Sequence, residues 1–323
     1  MAEEEPPQEL VEMLVGGSIT EQDIQKLRGA GFYTVRSVSH SSKRNIALIN
    51  GISERKAEVI MEKVREIHPI GFQTAAQVLD QRASLISLST GSPRLDALLG
   101  GGIETGSLTE VYGEFRTGKT QLCHTLSVVS QLPLDQNGGE GKCLYIDTEG
   151  TFRPERVRAI AKRYNLNGDS VVANIAVGRA YSHEHLMVLL EQAKLFMSRT
   201  RFALVIVDSI MTHLRSERAG RGELSERQIE LNKLLSVLQT FADEFGVAVV
   251  YTNQVVATVD GGYGEQKRPI GGHIMSHRCT TRLMFKKGKG NTRICRVVDS
   301  PILPEEECQF GIFGRGIDDV EEE

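Results

Sequence analysis

Cysteine is scarce and scattered in this 323-residue chain. Cys123, Cys143, Cys279, Cys295 and Cys308 form no C-x-x-C pair, and Cys123, Cys143 and Cys295 sit inside apolar runs where reduced, buried thiols are common. That distribution argues against a disulfide framework and against a zinc ligand set. Long apolar runs are missing too. No stretch reaches the roughly 18 uninterrupted apolar residues that a spanning helix needs, so no membrane partner is expected. The acidic start Met1-Ala-Glu-Glu-Glu is unlike a signal or transit peptide, and no internal repeat is visible.

An excess of positive charge is also lacking. The net charge of -4 looks wrong for a nucleic-acid binder until its location is considered. Glu3 to Glu5, Asp318, Asp319 and Glu321 to Glu323 place eight negative charges at the two ends, and without them the remainder is +4. Residues 1–7 and 318–323 therefore read as solvated, disordered acidic tails. What is present suffices for packing: 40% hydrophobic residues, in a chain longer than one core usually occupies, predict one large domain with a small satellite.

Residues 8–67 read as short helices broken by Gly16, Gly17, Gly29, Gly31 and Gly51. Ile49-Asn50-Gly51-Ile52-Ser53, followed by a helical stretch from Glu54, looks like a helix-hairpin-helix unit. Such a unit offers backbone N–H groups to a phosphate, although a plain helical packing module with a glycine turn reads equally well. Residues 68–84 form a connector containing Pro69 and Gly71. From 85 to 317 strand-length apolar runs alternate with helical periodicity, which predicts an α/β domain with a mostly parallel sheet. Strands are expected at 108–112, 143–147, 204–208 and 247–252, and a hairpin at 280–298 around Lys286, Lys287 and Lys289.

Gly113, Glu114, Phe115, Arg116, Thr117, Gly118, Lys119 and Thr120, with Gln121 next, fit G-x-x-x-x-G-K-[ST] between an expected strand and an expected helix. Glycines let backbone N–H groups wrap phosphates, Lys119 reaches the β and γ oxygens, and Thr120 offers its hydroxyl to Mg²⁺. Asp208 closes a buried-type strand, as a carboxylate orienting the magnesium shell does. Asp147 and Glu149 end another strand at the same edge, and Glu149 is the preferred water-orienting group, although either carboxylate could cap the following turn.

Those motifs, with Asp147-Thr-Glu-Gly-Thr-Phe-Arg-Pro-Glu-Arg, Ala219-Gly-Arg-Gly-Glu-Leu-Ser, Thr252-Asn-Gln-Val-Val and Pro269-Ile-Gly-Gly, resemble the eukaryotic and archaeal RecA-type DNA recombinases over residues 20–318. The resemblance implies a RecA-like P-loop core with a small all-α N-terminal domain, working in the nucleus as an ATP- and Mg²⁺-dependent strand-exchange ATPase. It implies helical filaments on single-stranded DNA that engage duplex DNA in double-strand-break repair. ATP is then shared between protomers: Lys119, Thr120, Glu149, Asp208 and Gln254 serve it from one side, and Arg156 packs on the adenine. Asp299 and Pro304 bound the cap from the neighbour, and His277 approaches the neighbour's γ-phosphate. Phe72 and Ala75 match the F-x-x-A motif that inserts into an adjacent protomer, and a mediator carrying F-x-x-A repeats would compete there.

DNA contacts are implied for Arg215, Arg218, Arg221 and Arg227 in a first segment, and for Val259, Tyr263, Lys267 and Arg268 in a second. The second segment departs from the family pattern: Gly261-Gly-Tyr263-Gly-Glu-Gln266 is shorter and more polar, with Tyr263 in the aromatic's place and Val259 as the wedge between bases. Between paralogues, Gln254-Val-Val resembles the general recombinase and Ser209-Ile-Met the meiosis-specific one, and the general form is preferred. Two alternatives stand beside this reading: a regulatory paralogue that binds DNA without exchange, and a ring-forming helicase or phosphotransferase of the same core fold.

Overall fold

The computed structural model describes residues 9–69, 71–217, 224–258 and 266–321. The chain divides into two compact units, Met1–Ser84 with Leu190–Arg201, and Leu85–Leu189 with Phe202–Glu323.

In the first unit, hydroxyl-bearing N-caps set the helix starts. Thr20 accepts from the Asp23 N–H to open α1 (Glu21–Gly29), Thr34 caps α2 (Val35–Ser39), Ser42 caps α3 (Lys43–Ala47) and Ser53 caps α4 (Glu54–Ile67). Between α3 and α4 the chain turns at Gly51 in the left-handed region (φ 82°), and the Lys26 ammonium donates to the Gly51 carbonyl at 2.9 Å. Val11, Leu14, Leu27, Val35, Ile46, Ile60 and Val64 are fully buried in one apolar cluster. The 68–84 connector contains a helix that glycine and proline punctuation did not predict. α5 (Ala75–Arg82) is opened by a reciprocal Thr74–Gln77 capping box and buries no residue, so capping rather than packing supports it.

The second unit alternates strands and helices: β1 (Ser87–Leu88), α6 (Pro93–Leu98), β2 (Ile103–Glu104), β3 (Leu108–Gly113), α7 (Lys119–Val129), β4 (Lys142–Asp147), α8 (Pro154–Ala161), α9 (Gly168–Ala173) and β5 (Ile175–Arg179). It continues through α10 (His183–Arg199), part of which belongs to the first unit, then β6 (Phe202–Asp208), α11 (Thr212–Glu217), α12 (Leu224–Phe245), β7 (Ala248–Asn253), β8 (Val255–Thr258) and β9 (Gln266–Pro269). It closes with α13 (Gly272–Arg278), β10 (Thr281–Lys287), β11 (Thr292–Asp299), β12 (Glu307–Phe313) and β13 (Gly316–Asp318).

Among the described residues, nine strands form one sheet in the order β13-β12-β11-β10-β3-β7-β6-β4-β5, parallel from β10 to β5 and antiparallel from β10 to β13. β3, β6 and β7 are buried at every position: β6 is apolar up to Asp208 and β7 up to Tyr251, whereas β3 also buries Thr109 and Glu110. Register aligns Asp147 with Asp208 and Tyr112 with Asn253, which brings the strand ends to one edge.

The acidic C-terminus does not begin as a free tail. Asp318 lies in β13 and pairs with Arg163 at 3.0 Å and Arg315 at 2.6 Å, and the Asp319 carboxylate accepts from the Ser92 hydroxyl and, at 3.1 Å, the Arg94 N–H. Specific cationic and backbone partners there replace the solvation expected from composition. No described helix is long and apolar enough to cross a membrane.

Candidate nucleotide site

The site is built where β3 turns into α7. Gly113 must lack a side chain, because a Cβ there would stand 2.3 Å from the Phe285 carbonyl oxygen. Gly118 adopts φ 103° and leads directly into Lys119. The loop curls around the Lys119 ammonium, which donates to the carbonyls of Gly113 (2.9 Å) and Glu114 (2.8 Å). From β11, the Arg293 guanidinium donates to the Arg116 carbonyl at 3.2 Å and steadies the loop apex.

Beneath the loop lies Asp208, 3% exposed, with both carboxylate oxygens engaged. Thr120 donates to Oδ2 at 2.7 Å, Tyr145 donates to the same oxygen at 3.0 Å, and Thr252 donates to Oδ1. Burial raises the Asp208 pKa, opposed by these hydrogen bonds, and burial lowers that of Lys119, partly offset by the negative charges of Asp208 and Glu149. The Thr120 hydroxyl beside a buried carboxylate is an all-oxygen donor set that fits Mg²⁺. Among the described residues no group of three or more His, Cys, Asp or Glu is placed to hold a metal by itself, so phosphate oxygens would have to complete such a shell.

Asp147 and Glu149, alternatives by sequence, have different surroundings. Asp147 Oδ1 accepts the backbone N–H groups of Glu149 (3.0 Å), Gly150 (2.6 Å) and Thr151 (3.2 Å), and Oδ2 that of Phe152 (3.2 Å). Arg179 adds an ion pair at 3.1 Å. Asp147 is the clasp of the turn. Glu149 instead lines the cleft, and its Oε1 lies 3.0 Å from each of Ser209 Oγ, Thr212 Oγ1 and Gln254 Nε2.

The cleft has a volume of about 1070 Å³, and all nine residues from Gly113 to Gln121 line it, with Glu149, Arg156, Asp208 and Gln254. Arg156 borders it with its guanidinium engaged: Nε donates to Gln121 at 2.7 Å, and the terminal nitrogens donate to the Gly314 carbonyl at 2.6 Å and to the Phe313 carbonyl. Phe72 is fully exposed, and Ala75 opens α5. His277, Asp299 and Pro304 are not among the residues lining the cleft. Arg215 sits in α11 and Arg227 in α12, while Lys267 and Arg268 belong to β9, which pairs antiparallel with β8. Arg218, Arg221, Val259 and Tyr263 lie outside the described residues.

Sequence reasoning missed Tyr145, Thr252, Ser209, Thr212, Arg293 and Phe313, all of which touch or line the site. Tyr145 and Thr252 lie within two residues of motif positions, so alternation along a strand could have flagged them. Arg293 and Phe313 come from the antiparallel part of the sheet, where no local motif announces them.

A Walker-type loop between a buried parallel strand and a helix, with carboxylates at neighbouring strand ends, defines a RecA-like P-loop nucleotide-binding domain. The Rad51 family model matches residues 81–320. The DNA repair protein RAD51 of Saccharomyces cerevisiae is 54% identical over 97% of this chain and 79% of its own length. DNA repair protein rhp51 of Schizosaccharomyces pombe is 53% identical over 97% and 86%, and the Rad51 homolog of Drosophila melanogaster is 53% identical over 99% and 96%. The chain belongs to the Rad51 family, as a general repair recombinase rather than the meiosis-specific paralogue.

Proposed function

We propose that this chain is a DNA-dependent ATPase that assembles as a helical filament on single-stranded DNA and carries out homologous pairing and strand exchange in the nucleus, during double-strand-break repair. The carrying observation is the convergence of Lys119, Thr120, Glu149, Asp208 and Gln254 on one cleft at the carboxyl ends of the parallel strands, in a chain more than half identical to DNA repair proteins along nearly its whole length.

In this reading the Lys119 ammonium exchanges its loop carbonyls for phosphate oxygens, and the loop N–H groups cradle them. Thr120, backed by Asp208, holds Mg²⁺, which when bound supplies positive charge against the charge developing on the transferred phosphoryl group. Glu149 orients the attacking water, and Gln254 senses the γ-phosphate. Arg156 borders the adenine, while Asp299, Pro304 and His277 serve a neighbour's nucleotide. Phe72 and Ala75 join protomers and are the point at which an F-x-x-A mediator competes. Arg215, Arg218, Arg221, Arg227, Val259, Tyr263, Lys267 and Arg268 contact DNA, and base pairing between the nucleic acids supplies sequence specificity.

Lys119→Ala tests the core of this reading. Loss of ATP binding and of joint-molecule formation is expected, and a variant that binds ATP and exchanges strands normally would overturn it. Electron microscopy with single-stranded DNA and ATP should show helical filaments; closed rings would favour a helicase-like ATPase instead.

A further inference from the structure

We infer that Thr212 is a positioning residue for ATP hydrolysis, its hydroxyl working through Ser209 and Glu149 to fix the carboxylate that orients water. This rests on the assignment of Glu149 made above. Three side chains meet on a single oxygen: Ser209 Oγ, Thr212 Oγ1 and Gln254 Nε2 each lie 3.0 Å from Glu149 Oε1. Oε2 accepts no hydrogen bond from the protein among the described residues, so one oxygen anchors the carboxylate and the other is left for water.

The two hydroxyls are also 2.6 Å from each other. Between them they own two protons, yet Ser209, Thr212 and Glu149 make three oxygen–oxygen contacts. A separation of 2.6 Å requires a proton on the Ser209–Thr212 line, since two bare oxygens would repel at that distance. One hydroxyl therefore donates to the other, which donates onward to Glu149, and the pair acts as one polarised chain. Its far end is fixed: the Ser209 N–H donates to Thr148 Oγ1 at 2.8 Å, and that hydroxyl donates to the Ser209 carbonyl at 2.9 Å, immediately before Glu149. Thr212 is the first residue of α11, which carries Arg215 of the segment proposed to meet DNA. A shift of α11 acts on Glu149 through one side chain.

The test is steady-state ATP hydrolysis by the full chain with Mg²⁺, with and without oligo-dT, for Thr212→Val, Thr212→Ala, Thr212→Ser and Glu149→Gln. Valine keeps the shape and removes the hydroxyl; alanine supplies a second hydroxyl-free variant should valine not fold. The expected result is a kcat with oligo-dT about fivefold lower for valine and alanine, from breaking the hydroxyl pair that holds the carboxylate. KM for ATP and Tm should be unchanged, the ratio of DNA-stimulated to DNA-free rate should fall, and serine should restore both. Wild-type kcat in the hydroxyl-free variants beside an inactive Glu149→Gln overturns the role of Thr212 and leaves that of Glu149 standing. A serine variant as slow as valine shows that the hydroxyl does not by itself restore the rate and also overturns it. An active Glu149→Gln removes both assignments.

Discussion

Asp147 and Glu149 stand two positions apart at the end of β4, and their oxygens meet opposite surroundings. The first is 4% exposed and accepts four backbone N–H groups; the second faces an open cleft and is held by side chains. Removing the Asp147 carboxylate strands several donors in a buried turn, which costs about 3 kcal/mol. Asp147→Ala should therefore lower Tm by about 6–12 °C in a domain of this size, measured by thermal melting, whereas Glu149→Gln should melt with the wild type. Equal melting of the two variants would contradict the division of labour. That both carboxylates end the same strand is legible from Asp147-Thr-Glu149-Gly. Which of them is consumed by the turn is not, because it depends on how the backbone of residues 149–152 folds back over one of them.

At the scale of elements, legibility follows locality. The P-loop, its strand and its helix are contiguous, and Gly113 to Gln121 run from the end of β3 into α7 as their spacing predicts. β5 offers only three consecutive apolar residues, Ile175 to Val177, before Gly178 and Arg179, and it escapes strand recognition. Phe313 and Arg293 reach the cleft only through the order β12-β11-β10-β3, which no single stretch encodes. α5 was hidden for a different reason: its stability comes from a cap and not from an apolar stripe. Thr74→Ala should remove about 1 kcal/mol from that helix alone. Amide exchange across 75–82 should quicken about fivefold while global Tm stays fixed, because α5 contributes nothing to the core. A fall in Tm would mean that the helix packs more firmly than its exposed surface indicates.

For the whole molecule, the proposed filament depends on an aromatic ring with no cover of its own. Phe72 is fully exposed beside the α5 N-terminus, an arrangement costly for a solitary protein and suited to an anchor that enters another copy. Phe72→Glu should weaken self-association at least about thirtyfold, read by sedimentation with ATP and single-stranded DNA, while leaving ATP binding by the monomer intact. Undiminished assembly would place the contact elsewhere. The way the cleft is built also bears on how such an assembly would run. The Asp208 carboxylate is gripped from α7 by Thr120, from β4 by Tyr145 and from β7 by Thr252, so three separate parts of the domain are bolted to one point. The floor of the cleft is thereby stiff, and displacement is left to its rim, where Glu149 meets side chains from the root of α11 and the end of β7. Mechanically the domain resembles a clamp with a rigid anvil, in which a change at the nucleotide is delivered outward as movement of the jaws.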